Sequence, residues 1–270
     1  MSHSRFEYVK QYEQHFDLLK NTYIAIRIDG KGFTKFCESH LFKKPNDINQ
    51  IKLMVIAALN VMKNYSEIFI SYGQSDEFSF ILKRSTKLYN RRSEKILTNI
   101  LSTFTSSYVY YWDKIFKNIK LQYPPTFDAR IILYPSFQNI KDYLCWRVTD
   151  CHINNLYNTT FWALVDKGNL NKEEAHEKLK KTISSEKNDI LFNDFGINYN
   201  NENIVFKKGT LILRLKNAKF KNFYKFDDLL IKDDDICKNL IMGEENNIFA
   251  VCHEDVFNNN FWDNEKIDFD

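Results

Sequence analysis

The sequence predicts an α+β fold, in which an antiparallel sheet carries helices on one face and a helical extension follows. Two observations lead to this prediction. The run YIAIRID at 23–29 places an isoleucine at every second position, the period of a β-strand. The elements predicted after it come in the order helix, hairpin, helix and strand, which is the order of a ferredoxin-like layer.

The first predicted strand ends in an aspartate. Ile24, Ile26 and Ile28 fall on one face, which predicts a half-buried strand with these side chains in the core. The opposite face carries Tyr23, Ala25, Arg27 and Asp29.

A second apolar segment, FISYGQSDEFSF at 69–80, contains Gly73 and polar residues between two apolar runs, which indicates a hairpin. Asp76 then lies at or just after the tight turn. If the hairpin pairs beside the first strand, Asp29 and Asp76 approach each other and form a site for hard divalent cations. The alternative is a surface turn at Asp29 and a solvated hairpin tip at Asp76, and it is the better interpretation of either segment alone. Their joint occurrence at two strand ends favours the cation site.

Helices are predicted on either side of the hairpin. Asn46 or Asp47 can cap a helix whose apolar residues recur at helical spacing from Ile51 to Met62. A longer helix is predicted over 89–112, and FDARIILY at 127–134 reads as a further strand. The same layout occurs in polymerase and cyclase palms, although a fold alone assigns no chemistry.

The second half of the chain is predicted to be mainly helical. Helices are expected over 141–164 and, with Asn171 as the cap, over 171–182; residues 183–208 read as a loop, and 208–215 as a strand. Beyond 217 the sequence is polar and weakly patterned, with aspartates at 227–228 and 233–235. We expect residues 1–135 to form a palm-like catalytic core. Residues 136–270 would add the helical extension, the strand and an acidic tail, in one compact unit with the core.

Composition sets broad limits on function. The 270 residues include 38 Lys and Arg against 35 Asp and Glu, so net charge neither indicates nor excludes a nucleic-acid partner. The five cysteines show no CxxC spacing, which argues against a disulfide framework or a zinc knuckle. No apolar run is long enough to cross a membrane, and the N-terminus does not resemble a secretory signal. The expectation is a soluble intracellular protein without a membrane partner.

Several long motifs occur in a fixed order along the chain. They are RIDGKGF at 27–33, KPND at 44–47, YGQSDEFSF at 72–80, FDAR at 127–130, DCHINNLYNTTFWAL at 150–164, EKNDILF at 186–192, INYNN at 197–201 and KGT at 208–210. Together they resemble the eukaryotic tRNA(His) guanylyltransferase family. Because so many motifs are collinear, the resemblance is highly specific.

The resemblance implies an enzyme that adds a guanylate to the 5′ end of tRNA(His), so that the chain grows from 3′ to 5′. ATP would activate the 5′ end by adenylylation, the 3′-hydroxyl of GTP would then attack it, and pyrophosphate would finally be removed. It also implies a homotetramer, a dimer of dimers, in which different subunits hold the two ends of the tRNA. A cytoplasmic or nuclear location is expected, and a mitochondrial pool is left open.

The resemblance also implies roles for individual residues. Asp29 and Asp76 match the catalytic carboxylates, which with the Gly30 carbonyl would hold two Mg²⁺ ions. The expected nucleotide-binding residues are Gly30, Lys31, Gly32, Phe33, Thr34, Lys44, Asn46, Asp47, Ser75, Arg92 and Lys95. The expected tRNA-binding residues are His152, Asn154, Asn155, Lys187 and Asn198. Simpler interpretations compete at some positions: Asn46 or Asp47 as a helix cap, and Arg92 with Lys95 as an exposed basic face.

One segment departs from the family pattern. The family form is closer to RxDGRxFHRF, whereas this chain has Lys31, Gly32, Thr34 and Lys35. Lysine keeps the charge of arginine but lacks its bidentate fork, and Thr34 cannot titrate as histidine does. We expect the metal site to survive and the contact that position 34 makes with the nucleotide to change.

Three other functions are compatible with a palm of this kind. The first is template-dependent repair of tRNA 5′ ends by an enzyme that does not depend on the histidine anticodon. The second is a nucleotide cyclase, whose palm also uses two aspartates. The third is a non-catalytic RNA-binding module. The intact HINNLYN motif at 152–158 favours the anticodon-dependent enzyme, because amides, imidazole and phenol read unstacked RNA bases.

Overall fold

A computed structural model describes residues 4–215, 238, 240–244, 247–253, 256–257 and 259–262. Its strands are β1 (Tyr23–Gly30), β2 (Ile68–Gln74), β3 (Glu77–Leu82), β4 (Phe127–Tyr134), β5 (Thr210–Arg214), β6 (Leu240–Glu244) and β7 (Asn247–Cys252). Its helices are α1 (Phe33–Ser39), α2 (Ile48–Asn64), α3 (Ser93–Ile115), α4 (Phe137–Asp166), α5 (Lys172–Leu179), α6 (Ser184–Asp189), α7 (Ile204–Lys208) and α8 (Asn259–Trp262). Within these ranges no helix is long and apolar enough to span a membrane.

All the described strands join one antiparallel sheet in the order β4-β1-β3-β2-β5-β7-β6. β1 pairs with β3 on one side and with β4 on the other. The predicted antiparallel α+β fold, with its hairpin beside the first strand, is therefore confirmed.

Helices cover both faces of the sheet. Ile24, Ile26 and Ile28 pack with α2 and α3 in the larger core. On the opposite face, Tyr23 and Ala25 are 6% and 0% exposed and pack in a second core with residues of α4. The prediction of a half-buried first strand is wrong, because the helical extension covers the face that the alternation left for solvent.

The segment 183–208 is not the loop that its asparagines suggested. It forms α6, a π-helical turn at Ile190–Asp194, a 3-10 turn at Tyr199–Asn201 and α7. Its buried apolar side chains, Leu191, Tyr199 and Val205, are too far apart in sequence to form a periodic stripe. Asparagines here act as caps: Asn203 Oδ1 accepts from the backbone N–H of Val205 at 3.1 Å.

Element boundaries differ from the predictions where the backbone is unusual. α3 begins at Ser93 because Tyr89, Asn90 and Arg91 have left-handed backbone angles, with φ of 48°, 56° and 62°. The cap predicted at Asn171 is present, and with Glu174 it forms a capping box for α5.

Two strands of the sheet were not predicted. β6 and β7 form a hairpin beyond residue 217 and extend the sheet next to β5. Their sequences, LIMGE and NIFAVC, are short and offer little periodicity. The aspartates at 227–228 and 233–235 lie outside the described residues.

Candidate active site

A cavity of about 620 Å³ lies where the ends of β1 and of the β2–β3 hairpin face α4 and α5. Many of the sequence-predicted site residues line it: Asp29, Phe33, Thr34, Lys44, Asn46, Asp47, Ser75, Asp76, Asn154 and Asn155. The fold thus brings residues from both halves of the chain to one place.

Strand pairing brings the two predicted catalytic carboxylates together. Asp29 lies opposite Glu77 in the β1–β3 register. The Gly30 backbone N–H donates to the Asp76 carbonyl at 3.1 Å. Ser75, with a left-handed φ of 49°, makes the tight turn that carries Asp76 over the end of β1. The alternative of two separate solvated turns is excluded, because both aspartates line the same cavity.

The negative charge of Asp29 disfavours ionisation of the Asp76 carboxyl. Burial, which is the largest cause, and the negative charge of Asp29 together raise the pKa of the Asp76 carboxyl to about 6, against hydrogen bonds that lower it. A buried carboxyl beside another carboxylate is an unfavourable arrangement that a divalent cation relieves.

The donor set fits Mg²⁺. Within the described residues no group of three or more His, Cys, Asp or Glu side chains is placed to hold a metal. Mg²⁺ does not need such a cage, because it is commonly held by one or two carboxylates, water and substrate phosphates. Asp29 and Asp76 meet this requirement.

The loop after β1 is held by close packing. A Cβ atom at Gly30 would lie 2.3 Å from the ring of Phe33, so glycine is required there. Gly32 has a φ of 68°, which glycine adopts without strain. The backbone N–H groups of Gly30 and Lys31 donate to the carbonyls of Asp76 and Thr126, so both are paired within the protein.

The residues of the predicted nucleotide-binding loop at 44–47 have different roles. Asp47 caps α2, since its oxygens accept from the backbone N–H groups of Asn49 at 2.9 Å and Lys43 at 3.0 Å. Asn46 donates to Asn155 Oδ1 at 2.8 Å. Lys44 lines the cavity, and the described residues show no ion pair for its ammonium group. Of these three, Lys44 is therefore the group best placed to meet a phosphate.

A buried arginine that the sequence did not single out fixes the hairpin. Arg147 on α4 donates to both Glu77 oxygens at 2.8 and 3.1 Å, and it pairs with Asp150 at 2.9 Å. Asp150 in turn accepts from Gln74 at 3.4 Å. Arg147 thus holds the residues on both sides of the Ser75–Asp76 turn. Nothing in its sequence context distinguishes it from any other polar residue of a long helix.

Family models match both halves of the chain. A model described as tRNAHis guanylyltransferase matches residues 6–135, and a model described as the Thg1 C terminal domain matches residues 138–262. The chain belongs to the tRNA(His) guanylyltransferase family. The resemblance inferred from the motifs is confirmed.

Individual members of the family match this chain over most of their length. The tRNA(His) guanylyltransferase of Debaryomyces hansenii is 52% identical over 79% of this chain and 82% of its own length. The probable enzyme of Drosophila melanogaster is 46% identical over 97% of this chain and 84% of its own. The crystal structure of the Saccharomyces cerevisiae enzyme matches with a TM-score of 0.74 and 50% identity, over 77% of this chain and 93% of that one.

A bacterial relative shares the fold at lower identity. The guanylyltransferase-like protein solved in complex with ATP matches with a TM-score of 0.66 and 22% identity, over 78% of this chain and 88% of its own. At this identity the match supports the fold alone.

The residues that the family resemblance assigns to tRNA fall into two groups. Asn154 and Asn155 line the cavity. Asn155 is only 5% exposed, and its amide also donates to the Tyr199 hydroxyl at 3.0 Å, so it holds protein elements together. Asn154 is exposed and donates to Asp150 at 3.1 Å.

The second group, His152, Lys187 and Asn198, does not line the cavity. The His152 ring lies 5.5 Å from that of Tyr199. Lys187 donates to the Thr182 carbonyl at 2.6 Å, and Asn198 caps the 3-10 turn at Tyr199–Asn201.

Three predicted nucleotide-binding cations also lie outside the cavity lining. Arg92 and Lys95 are at the beginning of α3, and Lys31 is exposed after β1. The contact of these three side chains with a nucleotide therefore stays a prediction.

Proposed function

We propose that this protein is a nucleotidyltransferase that adds a guanylate to the 5′ end of tRNA(His) in the 3′-to-5′ direction. Family membership and the activities named for its relatives support the reaction class. The observation on this chain that carries the proposal is one cavity containing Asp29, Asp76 and Lys44. Two carboxylates and a cation are the groups that phosphoryl transfer from a nucleoside triphosphate requires.

The proposed reaction has three steps. The 5′-monophosphate of the tRNA attacks the α-phosphorus of ATP, which forms an adenylylated 5′ end and releases pyrophosphate. The 3′-hydroxyl of GTP attacks the 5′ phosphorus of the tRNA, which forms the new phosphodiester bond and releases AMP. Water then attacks the triphosphate of the added guanylate, and the second pyrophosphate leaves.

Asp29 and Asp76 are the residues that would hold Mg²⁺, which supplies charge neutralisation and a more acidic attacking hydroxyl when bound. Lys44 provides positive charge for a phosphate in the same cavity. Ser75 is exposed beside Asp76 and presents a hydroxyl to the bound nucleotide. Arg147 keeps the hairpin turn in place through Glu77 and Asp150.

The partners are proposed on the same basis. tRNA(His), ATP and GTP are the substrates, and a homotetramer allows one subunit to bind the anticodon while another acts at the 5′ end. His152, Lys187 and Asn198 are not among the residues that line the cavity, and we assign them to contact with the anticodon. The proposed location is the cytoplasm or nucleus.

The direct experiment incubates 5′-monophosphorylated tRNA(His) with the protein, ATP, GTP and Mg²⁺, and follows the 5′ end. We expect one guanylate to be added, loss of addition in Asp29→Asn and Asp76→Asn, and retained tRNA binding in both variants. A tRNA(His) with an altered anticodon should react more slowly. Equal use of the two tRNAs would favour 5′-end repair, and cyclic nucleotide formed from GTP alone would identify a cyclase. No addition to tRNA(His) would overturn the proposal.

A further inference from the structure

The cavity has a second chemical character at the end formed by α4 and α5. Its lining there consists of Tyr157, Phe161, Trp162, Lys172 and His176, which we call the aromatic–basic wall. Asp29 and Asp76 line the same cavity from the side of the sheet. The proposed catalytic residues occupy only one part of this space.

Trp162 is the centre of the wall. The ammonium groups of Lys44 and Lys172 lie 5.5 and 5.7 Å from its ring centroid. The Tyr157 and Phe161 rings stack nearly parallel, at 6.3 Å and 16°. The ring of His176 stands edge-on to both at 5.9 Å. The Tyr157 hydroxyl and His176 Nδ1 form a hydrogen bond.

The charge of the wall is positive. Lys172 pairs with Glu38 at 3.1 Å, but both side chains are about half exposed, so solvent screens this pair. Lys44 shows no ion pair within 4 Å among the described residues, although its charge also acts on the Glu38 carboxylate, and its ammonium group lies beside Trp162. Proteins bind unpaired nucleotides with an aromatic ring that has lysines close to it: the base stacks on the ring, and the ammonium groups meet the phosphate.

We propose that the aromatic–basic wall is a second nucleotide site, in which an unpaired nucleotide stacks its base on Trp162 and places its phosphate between Lys44 and Lys172. The proposal rests on the proposed function, because a nucleotidyl transfer joins two nucleotides that must be bound at the same time. One of them occupies the carboxylate end, and the other needs a seat within reach in the same cavity. Its source is either the end of the RNA or a second free nucleoside triphosphate.

The test measures binding by the full-length protein and three variants. Trp162→Leu removes the ring, Trp162→Phe retains one, and Lys172→Met removes a charge that is 57% exposed and therefore not needed for folding. The control is Lys178→Met, on the same helix, since Lys178 pairs with Asp194 and does not line the cavity. The probes are ATP and GTP with Ca²⁺, by equilibrium dialysis, and a 5′-monophosphorylated acceptor-stem hairpin of tRNA(His), by filter binding.

We expect Trp162→Leu to weaken binding of one probe about tenfold, the loss typical of one base–aromatic stack. Lys172→Met should weaken it several-fold, and Trp162→Phe and Lys178→Met should resemble the unaltered protein. Loss of a second equivalent of nucleotide identifies a free triphosphate as the occupant. Weaker hairpin binding with unchanged nucleotide stoichiometry identifies the RNA end. Unchanged binding of both probes in Trp162→Leu and Lys172→Met overturns the proposal.

The measurements distinguish failure of the second-site proposal from failure of the proposed function. Asp76→Asn should abolish guanylate addition, while binding of the probe that occupies the wall still depends on Trp162. If the unaltered protein adds no guanylate, the proposed function fails, and the binding measurements still decide whether the wall holds a nucleotide. If addition occurs but neither probe depends on the wall, only the second site is wrong.

Discussion

At the scale of single residues, the Asp76 carboxylate lowers the stability of the folded protein when no metal is bound. Its pKa rises from an ordinary value of 3.8 to about 6 on folding, so the folded state favours the protonated form. Stability is therefore lost as pH rises from about 4 through about 6, and above this window the buried charge costs up to about 3 kcal/mol. Such a cost is common at functional sites, where chemistry rather than stability selects the residue.

We predict that Asp76→Asn raises the free energy of unfolding by about 1–3 kcal/mol at pH 7.5 in EDTA. The gain should shrink towards zero at pH 4, where the carboxyl is protonated in the folded protein. Added Mg²⁺ should narrow the difference, because it binds the unaltered site. Urea denaturation at both pH values measures this, and a gain of equal size at pH 4 would contradict the electrostatic cause.

Arg147 allows a second prediction. Its side chain is 5% exposed and Glu77 is 12% exposed, so Arg147→Met leaves a largely buried carboxylate with only Arg27, at 3.7 Å, as a partner. We expect a loss of about 3 kcal/mol of stability, most of which returns in the double variant with Glu77→Gln.

Arg147→Lys should fold better than Arg147→Met, yet raise the Mg²⁺ concentration needed for half-maximal guanylate addition, because one ammonium cannot hold both sides of the turn. Chemical denaturation and Mg²⁺ titrations of activity test both parts. A normal Mg²⁺ dependence in Arg147→Lys would show that the arginine is purely structural.

Sequence patterns identified the site residues that lie at the ends of predicted strands, but not the one inside a long helix. Asp29 and Asp76 were predicted to approach each other because each follows an apolar strand-like run, and pairing of adjacent strands brings such ends together. Arg147 was missed, because Glu77, its partner on the hairpin, is 70 residues away in the sequence and its own helix mixes polar and apolar residues.

At the scale of secondary-structure elements, α4 does two jobs along its 30 residues. Its first half buries Ile140, Tyr143 and Leu144 against the sheet. Its second half supplies Asn154, Tyr157 and Trp162 to the cavity. The two halves of α4 therefore contact different parts of the molecule. Periodicity predicted the helix, but it could not predict which parts the helix would contact.

A chain of hydrogen bonds ties α4 to the loop at 44–47. Asn46 donates to Asn155, and Asn155 donates to Tyr199 on the 3-10 turn. We predict that Tyr199→Phe costs about 1 kcal/mol and that Asn155→Ala costs about 1–3 kcal/mol, since the alanine leaves buried partners unsatisfied. Because the loop carries Lys44, Asn155→Ala should raise the KM for the nucleotides more than it lowers kcat.

The matched control is Asn188→Ala, whose exposed amide bonds only within its own helix. Thermal denaturation and steady-state kinetics provide the measurements. If Asn155→Ala lowers kcat alone, the loop is not what this chain of hydrogen bonds positions.

At the scale of the whole molecule, the sheet joins the two halves. β5, from the second half, pairs with β2, and α4 covers the face formed by Tyr23, Ala25 and Phe69. We predict that residues 1–135 alone do not fold to a monomer, because this face would be exposed, and that the full chain unfolds in one transition. Circular dichroism and size-exclusion chromatography of the fragment test this; a well-folded monomeric fragment would contradict it.

The order of the first five main elements could be predicted because each has a distinct period and a clear end signal. The burial of both faces of the sheet could not be predicted, since it depends on the packing of α4, which is distant from β1 in the sequence. The short helices after Ile183 and the β6–β7 hairpin were also missed, because their burial comes from tertiary contact rather than from a local pattern.

The position of β1 between β3 and β4 has a thermodynamic consequence. The strand is hydrogen-bonded on both sides and packed on both faces, so Asp29 begins with very little conformational freedom to lose. Binding a cation there should carry almost no ordering entropy from this carboxylate, whereas the turn at Ser75 must still settle around the ion. Calorimetry would then assign most of the conformational entropy of metal binding to the hairpin, and slow amide exchange in β1 should be nearly the same before and after the ion arrives.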